Sequence, residues 1–195
     1  MSRSLTSLFA LTALCTSASA EPYRYELDPS HTTVAFLVDH LGYAETLGLF
    51  TDISGSFTYD LETQVLSDLA VEIDTASIET FDEARDNHVR GADFLDVTAF
   101  PLMTFTADSG TPLSDTEGSV TGTLTLLGQS RPLTLDVKLN RTAKYPFGHG
   151  RFTLGISART VIKRSDFGMT YAVGNGFVGD DVQVIIETEA MRAAD

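Results

Sequence analysis

The chain has 195 residues, 43% of them hydrophobic, and carries 27 acidic against 13 basic side chains. No stretch gathers more than two adjacent cations, Lys163 and Arg164, so a chain this acidic repels phosphate backbones and nucleic-acid binding is excluded. The apolar share also rules out a disordered polypeptide, because one domain of this length buries most of its hydrophobic surface unaided.

Residues 1–20 contain Arg3, an apolar run from Leu5 to Leu14 and the small residues Ala18, Ser19 and Ala20, the pattern of a cleaved secretory signal peptide. The mature domain is then 21–195, with 12 Lys and Arg against 27 Asp and Glu, a formal charge of −15. Cys15 is the only cysteine and lies in the cleaved segment, so the exported product has no thiol for a disulfide, a thiolate metal site or covalent catalysis. Leu14 precedes it where a lipoprotein signal needs a small residue. Beyond residue 20 no apolar run approaches the ~20 residues that span a bilayer, so stable membrane insertion is not expected.

From Thr32 onward the dominant pattern is alternation, which sends successive side chains to opposite faces of a strand. Strands are expected at Val34 to His40, Ile53 to Tyr59, Leu69 to Ile73, Met103 to Ala107, Val120 to Leu126, Leu133 to Asn140, Arg151 to Arg159 and Val182 to Ile186. Between the third and fourth, Thr80 to Gly91 reads as one short helix. Thr80 and Glu83 have capping-box spacing, acids fill the first turn, and His88 and Arg90 close the last. Phe81, Ala84 and His88 would share a face, making the helix a lid against one end of the sheet. The fold class is all-β: eight antiparallel strands, each polar on one face, can close into a barrel that removes both edges. A two-sheet sandwich has the same alternation.

Residues Gly174 to Gly179 match the spacing of a dinucleotide fingerprint, but a strand headed by Asp180 and Asp181 follows in place of a helix, so a loop is expected and no nucleotide cofactor. Asp166-Phe167-Gly168 lacks every other kinase part; a turn is expected, with Asp166 pairing with Arg164 or capping an amide and Phe167 tucked into the barrel end. The histidines at 31, 40, 88 and 149 show no paired zinc-type spacing and no metal is assigned. His40 shares parity with Val34, Phe36 and Val38, which puts its ring near a strand end where it could meet a ligand head group or cap the core. No serine sits in a nucleophile elbow, and no catalytic residue is assigned.

Taken in succession, several segments resemble the YceI-like family of periplasmic, lipocalin-like polyisoprenoid-binding proteins along nearly all of residues 23–190. They are Asp28-Pro29-Ser30-His31 with Val34-Ala35-Phe36 and His40, Gly48-Leu49-Phe50 to Gly55-Ser56-Phe57, Asn87-His88-Val89-Arg90, Ala92 to Val97 through Phe100-Pro101 and Thr104-Phe105, Gly122 to Gly128, and Arg164 to Gly168. The resemblance implies an eight-stranded lipocalin-like barrel holding an amphiphilic isoprenoid, polyprenyl or quinone-like, in the periplasm without reacting with it. On that reading the ligand wall is Phe36, Val38, Phe57, Val71, Ile73, Met103, Phe105, Leu124, Leu126, Leu135, Val137, Phe152, Ile156, Val184 and Ile186. His40, Phe50, Phe94, Phe167 and Met169 stand near the ends. Parity alone leaves open whether these side chains line a cavity or fill a solid core. A diphosphate head would need local cations such as Arg159, Lys163 or Arg164 against the charge of −15, which favours an uncharged quinone or phenol head. The competing readings are a solid barrel acting as a stress or interaction protein, and a secreted hydrolase or isomerase whose activity depends on His40 or Asp166. The sequence leaves the oligomeric state open, a dimer included.

Overall fold

The computed structural model describes residues 22–194. The signal-peptide segment expected at 1–20 lies outside them.

The chain opens on β1 (Tyr23–Leu27) and continues, after a single 3-10 turn at Pro29–His31, into β2 (Thr33–His40). Asp28 caps that turn through its carboxylate, which accepts from Ser30 N at 2.9 Å. A hairpin leads to β3 (Ala44–Phe50), followed by β4 (Ile53–Tyr59), β5 (Leu66–Asp74) and the two-residue β6 (Ile78–Glu79). The helix α1 (Glu83–Arg90) comes next, then β7 (Leu102–Ala107), β8 (Thr111–Pro112), β9 (Glu117–Leu126), β10 (Gln129–Lys144), β11 (Phe152–Lys163) and β12 (Val178–Arg192).

Eight strands close a ring of antiparallel neighbours, β1-β4-β5-β7-β9-β10-β11-β12, and the seam is the β1–β12 pairing that sets Tyr25 against Arg192. The barrel and its helix between the third and fourth ring strands are therefore as the alternation indicates. One member differs. The strand at Val34–His40 lies beside β12 but outside the ring, and β1, which the sequence reading did not include, takes the eighth place. β12 is long enough to serve both: its last residues pair with β1, while Val178 and then Val182 to Glu187, past an irregularity, pair with β2, which carries the wall onward through β3 to β6.

The helix begins later than its capping-box spacing suggests. Asp82 is the cap, accepting from Arg85 N at 2.9 Å, while Thr80 donates its backbone N–H and its hydroxyl to Asp86. Phe81 stands before the helix at φ 65° and is 69% exposed, and Ala84 and His88 are exposed as well, so the inward face expected of these three does not form; Val89 is the helix residue that faces the barrel interior. Arg90 ties the last turn to the barrel by donating to the carbonyls of Ala76 and Ile78.

Two apolar clusters fill the interior. The larger surrounds Phe50, Ile53, Met103, Phe105, Leu126 and Phe167. The smaller joins Tyr25, Phe57, Leu154 and Ala190 at the end where β1 begins and β12 finishes. There Tyr25 and Phe57 stack at 5.5 Å, and Tyr25, Leu154 and Ala190 are at most 1% exposed, so part of that end is packed with side chains.

Candidate functional site: an apolar barrel cavity

Within the ring of strands lies a cavity of about 350 Å³, partly open to solvent. Its origin lies in strand parity. Most inward residues of β5, β7, β9, β10, β11 and β12 are aliphatic or aromatic, at alternate positions, with smaller or hydroxyl-bearing residues at Ala158, Thr160 and Thr188 among them. Val89 of α1 and Phe94 and Leu95 of the segment after it complete the lining at the helix end. Gln64 and Ser114 to Glu117 border it near the opposite loops, where Gln64 Nε2 donates to Ser114 O at 3.2 Å. Tyr59 also faces it, its hydroxyl pushed above the ordinary tyrosine range by burial and by neighbouring Asp60 and Tyr25.

Of the residues assigned to the ligand wall, the structure brings together Phe36, Val38, Phe50, Phe57, Val71, Ile73, Phe94, Met103, Phe105, Leu124, Leu126, Leu135, Val137, Ile156, Met169, Val184 and Ile186 around this space. Three stand elsewhere. Phe152 has the inward parity of β11 but lies beyond Leu154, where its ring meets the Arg192 guanidinium at 4.9 Å; that guanidinium also covers Tyr23 at 3.3 Å. Phe167 is buried in the core without reaching the cavity surface, and His40 is exposed at the end of β2, opposite Ala44 and Val178. Sequence reasoning passed over Leu27, Val34, Ile53, Leu133, Leu139, Ala158, Ile162 and Val182, all lining. Simple continuation of the same parity along each strand finds most of them.

Each of the three cations considered for a charged head group is already engaged. Arg159 is bonded to Glu187, and Lys163 meets Asp181 at 2.6 Å, an interaction that pushes its pKa up. Arg164, 2% exposed, donates to four backbone carbonyls, those of Gly179, Met169, Tyr171 and Val178, at 2.7–3.0 Å. Burial pulls its pKa down, with Asp180 opposing the shift. Its guanidinium sits 5.8 Å from the centre of the Phe94 ring. Asp166 does not cap this turn as expected. Asp180 does so, its carboxylate accepting from Ser165 N at 2.9 Å and Ser165 Oγ at 2.8 Å, because the start of β12 runs directly beside the turn. Gly174 to Gly176 lie in turns and Phe177 in a bend, the loop the sequence indicates, while Val178 and Gly179 already belong to β12.

Built of eight antiparallel strands closed into a ring around an apolar cavity, with one short helix at its end, the molecule falls in the class of lipocalin-like β-barrels. Within that class the chain belongs to the YceI-like family, whose domain model matches residues 25–190. It is 37% identical over 176 residues to Protein YceI of Salmonella arizonae, covering 90% of both chains. Among solved structures it is similar to the YceI protein of Campylobacter jejuni, with a TM-score of 0.73 and 28% identity over 97% of this chain and 100% of that one. A polyisoprenoid binding domain from Saccharophagus degradans, implicated in plant cell wall breakdown, shares the fold. Its TM-score is 0.62 at 16% identity, over 87% of this chain and 98% of that one. Among the described residues no helix is long and apolar enough to cross a membrane.

Proposed function

We propose that the protein binds and carries an amphiphilic isoprenoid lipid in the periplasm, without catalysing a reaction on it. The observation that carries this reading is the barrel cavity and its apolar wall, whose volume falls in the ~300–1,000 Å³ range of small-molecule sites. An isoprenoid tail exposes hydrocarbon in water, and each Å² buried recovers roughly 25 cal/mol, so a lining such as Val71, Phe105, Leu135 and Val184 suffices without polar recognition. The Saccharophagus degradans domain, described as polyisoprenoid binding, supports the ligand class, and the YceI-like family supports a binding role and a periplasmic setting.

The head group is uncharged. Arg159, Lys163 and Arg164 are committed to Glu187, Asp181 and backbone carbonyls, so an anionic head would have to displace existing bonds against a protein with a large acidic excess. The test is to purify the mature protein gently, extract it with organic solvent and identify lipid by mass spectrometry, then offer the emptied protein a quinone, a polyprenol and a polyprenyl diphosphate. Near-stoichiometric uptake of the neutral lipids is expected. A protein that arrives empty and takes up none of them overturns the carrier reading. Tight diphosphate binding that survives Arg159→Gln and Lys163→Gln overturns the uncharged head.

A further inference from the structure

Outside the barrel wall, three potential metal ligands from distant points of the chain converge where β12 passes from β2 to β1. We propose that Asp28, His31 and Glu189 form a binding site for a divalent cation of the zinc class. Asp28 caps the 3-10 turn between β1 and β2, His31 ends it, and Glu189 projects from β12 beside it; Asp28 N donates to Glu189 O at 2.8 Å, which fixes the turn against that strand. One donor atom from each residue lies within 4.8 Å of the others. His31 Nδ1 is 2.9 Å from Asp28 Oδ2 and 3.8 Å from Glu189 Oε2. Ligands around zinc, each ~2.0–2.2 Å from the ion, stand roughly 3.5 Å apart, so small side-chain rotations bring the set to coordination distance.

Two further features point to a cation ligand. Glu189 Oε2 is shielded from solvent and makes no close hydrogen bond, with His31 Nδ1 at 3.8 Å and the Tyr145 hydroxyl, held above the ordinary tyrosine range by burial and by this carboxylate, as its neighbours; a metal ion would satisfy it more fully. Glu189 also borders an outer depression of about 240 Å³, shared with Arg141, Lys144, Tyr145 and Phe147 but not with Asp28 or His31, so the Glu189 side of the set is reached from outside the barrel while the half-exposed His31 leaves the other side to solvent. The ligands are oriented in advance: Asp28, 8% exposed, has its other carboxylate oxygen held by Ser30 N at 2.9 Å and Ser30 Oγ at 2.7 Å, so Oδ2 is left facing the site. One imidazole nitrogen with two carboxylates is a donor set suited to zinc, and the ion takes the position of the Nδ1 proton, which leaves to solvent.

Spacing of the histidines conceals this set, since its third ligand is 158 residues from His31 and reaches it through barrel closure. The test uses mature protein stripped with a chelator and dialysed, titrated with zinc chloride by calorimetry, with Tm measured with and without the metal. One ion per chain and a zinc-dependent rise in Tm are expected. Glu189→Gln and His31→Gln should each weaken binding at least ten-fold and abolish the rise. His88→Gln, whose ring meets Asp93 at 3.1 Å away from the site, should leave both unchanged. No stoichiometric uptake by the wild type, or a smaller loss in the triad variants, overturns the proposal. Circular dichroism checks the fold, and Glu189→Gln alone decides if His31→Gln does not fold.

Discussion

Gly48 on β3 lies directly beneath the ring of Phe36 on β2: a Cβ built at Gly48 would stand 2.2 Å from Phe36 Cζ. No side chain fits there while the ring keeps its place. The ring can leave only by swinging, and Phe36 borders the cavity. Gly48→Ala should therefore drive it into the lipid space, reducing uptake of a fluorescent isoprenoid several-fold while costing ~1–3 kcal/mol in urea denaturation. Undiminished uptake at reduced stability would show that the ring turns another way.

Ala158 offers the opposite experiment. Its methyl group is 4% exposed and faces the cavity from β11 between larger neighbours. Ala158→Phe adds a ring where space already exists, so Tm should fall by no more than a few degrees while lipid uptake is lost. A variant that folds and still binds at full stoichiometry would place the lipid elsewhere.

Arg164 is a structural cation by its bonds. Replacing it with Met leaves the carbonyls of Gly179, Met169, Tyr171 and Val178 without their donor in a buried site, an expected loss on the order of 3–5 kcal/mol. Arg164→Lys should recover only a minor part, since an ammonium cannot reproduce the planar fork. Chemical denaturation with near-ultraviolet dichroism measures both. Equal stability of Arg164→Lys and wild type would contradict the role of the fork.

Asp86 gives a pH signature. The hydroxyl of Thr80 donates to its carboxylate; burial opposes, and the Thr80 amide and nearby Arg90 and Arg85 add to the pull, so the pKa lies below the ordinary 3.8. A depressed folded-state pKa contributes stability above the unfolded value, and that contribution is lost as pH falls through the folded one. The stability difference between wild type and Asp86→Asn should be constant from neutral pH to about pH 5 and shrink steadily below about pH 4. A difference that stays flat down to pH 2.5 would mean the charge contributes nothing.

Much of the architecture was legible because alternation is a local property. Leu133, Leu135, Val137 and Leu139 face inward in β10 as their spacing requires, and Phe105, Leu124 and Val184 do the same on their strands. The strands that escaped notice explain themselves. β3 reads Ala-Glu-Thr-Leu-Gly-Leu-Phe, a weak alternation broken by the glycine that Phe36 needs beneath it. β1 is five residues long and depends on β4 and β12 for its pairing. Phe152 obeyed parity yet missed the cavity, because parity sets the face of a residue and not its height along the barrel.

Periodicity, charge and turn residues were enough to specify a closed antiparallel sheet with an apolar inner face, since each acts over a few neighbouring positions. Whether that face met itself or left a void, which end Tyr25 and Leu154 pack against, and how Asp28 and His31 came to stand beside Glu189 depended on three-dimensional packing. Those outcomes arise from side-chain volumes and from contacts between residues far apart in the chain, and no local pattern encodes the sum of either.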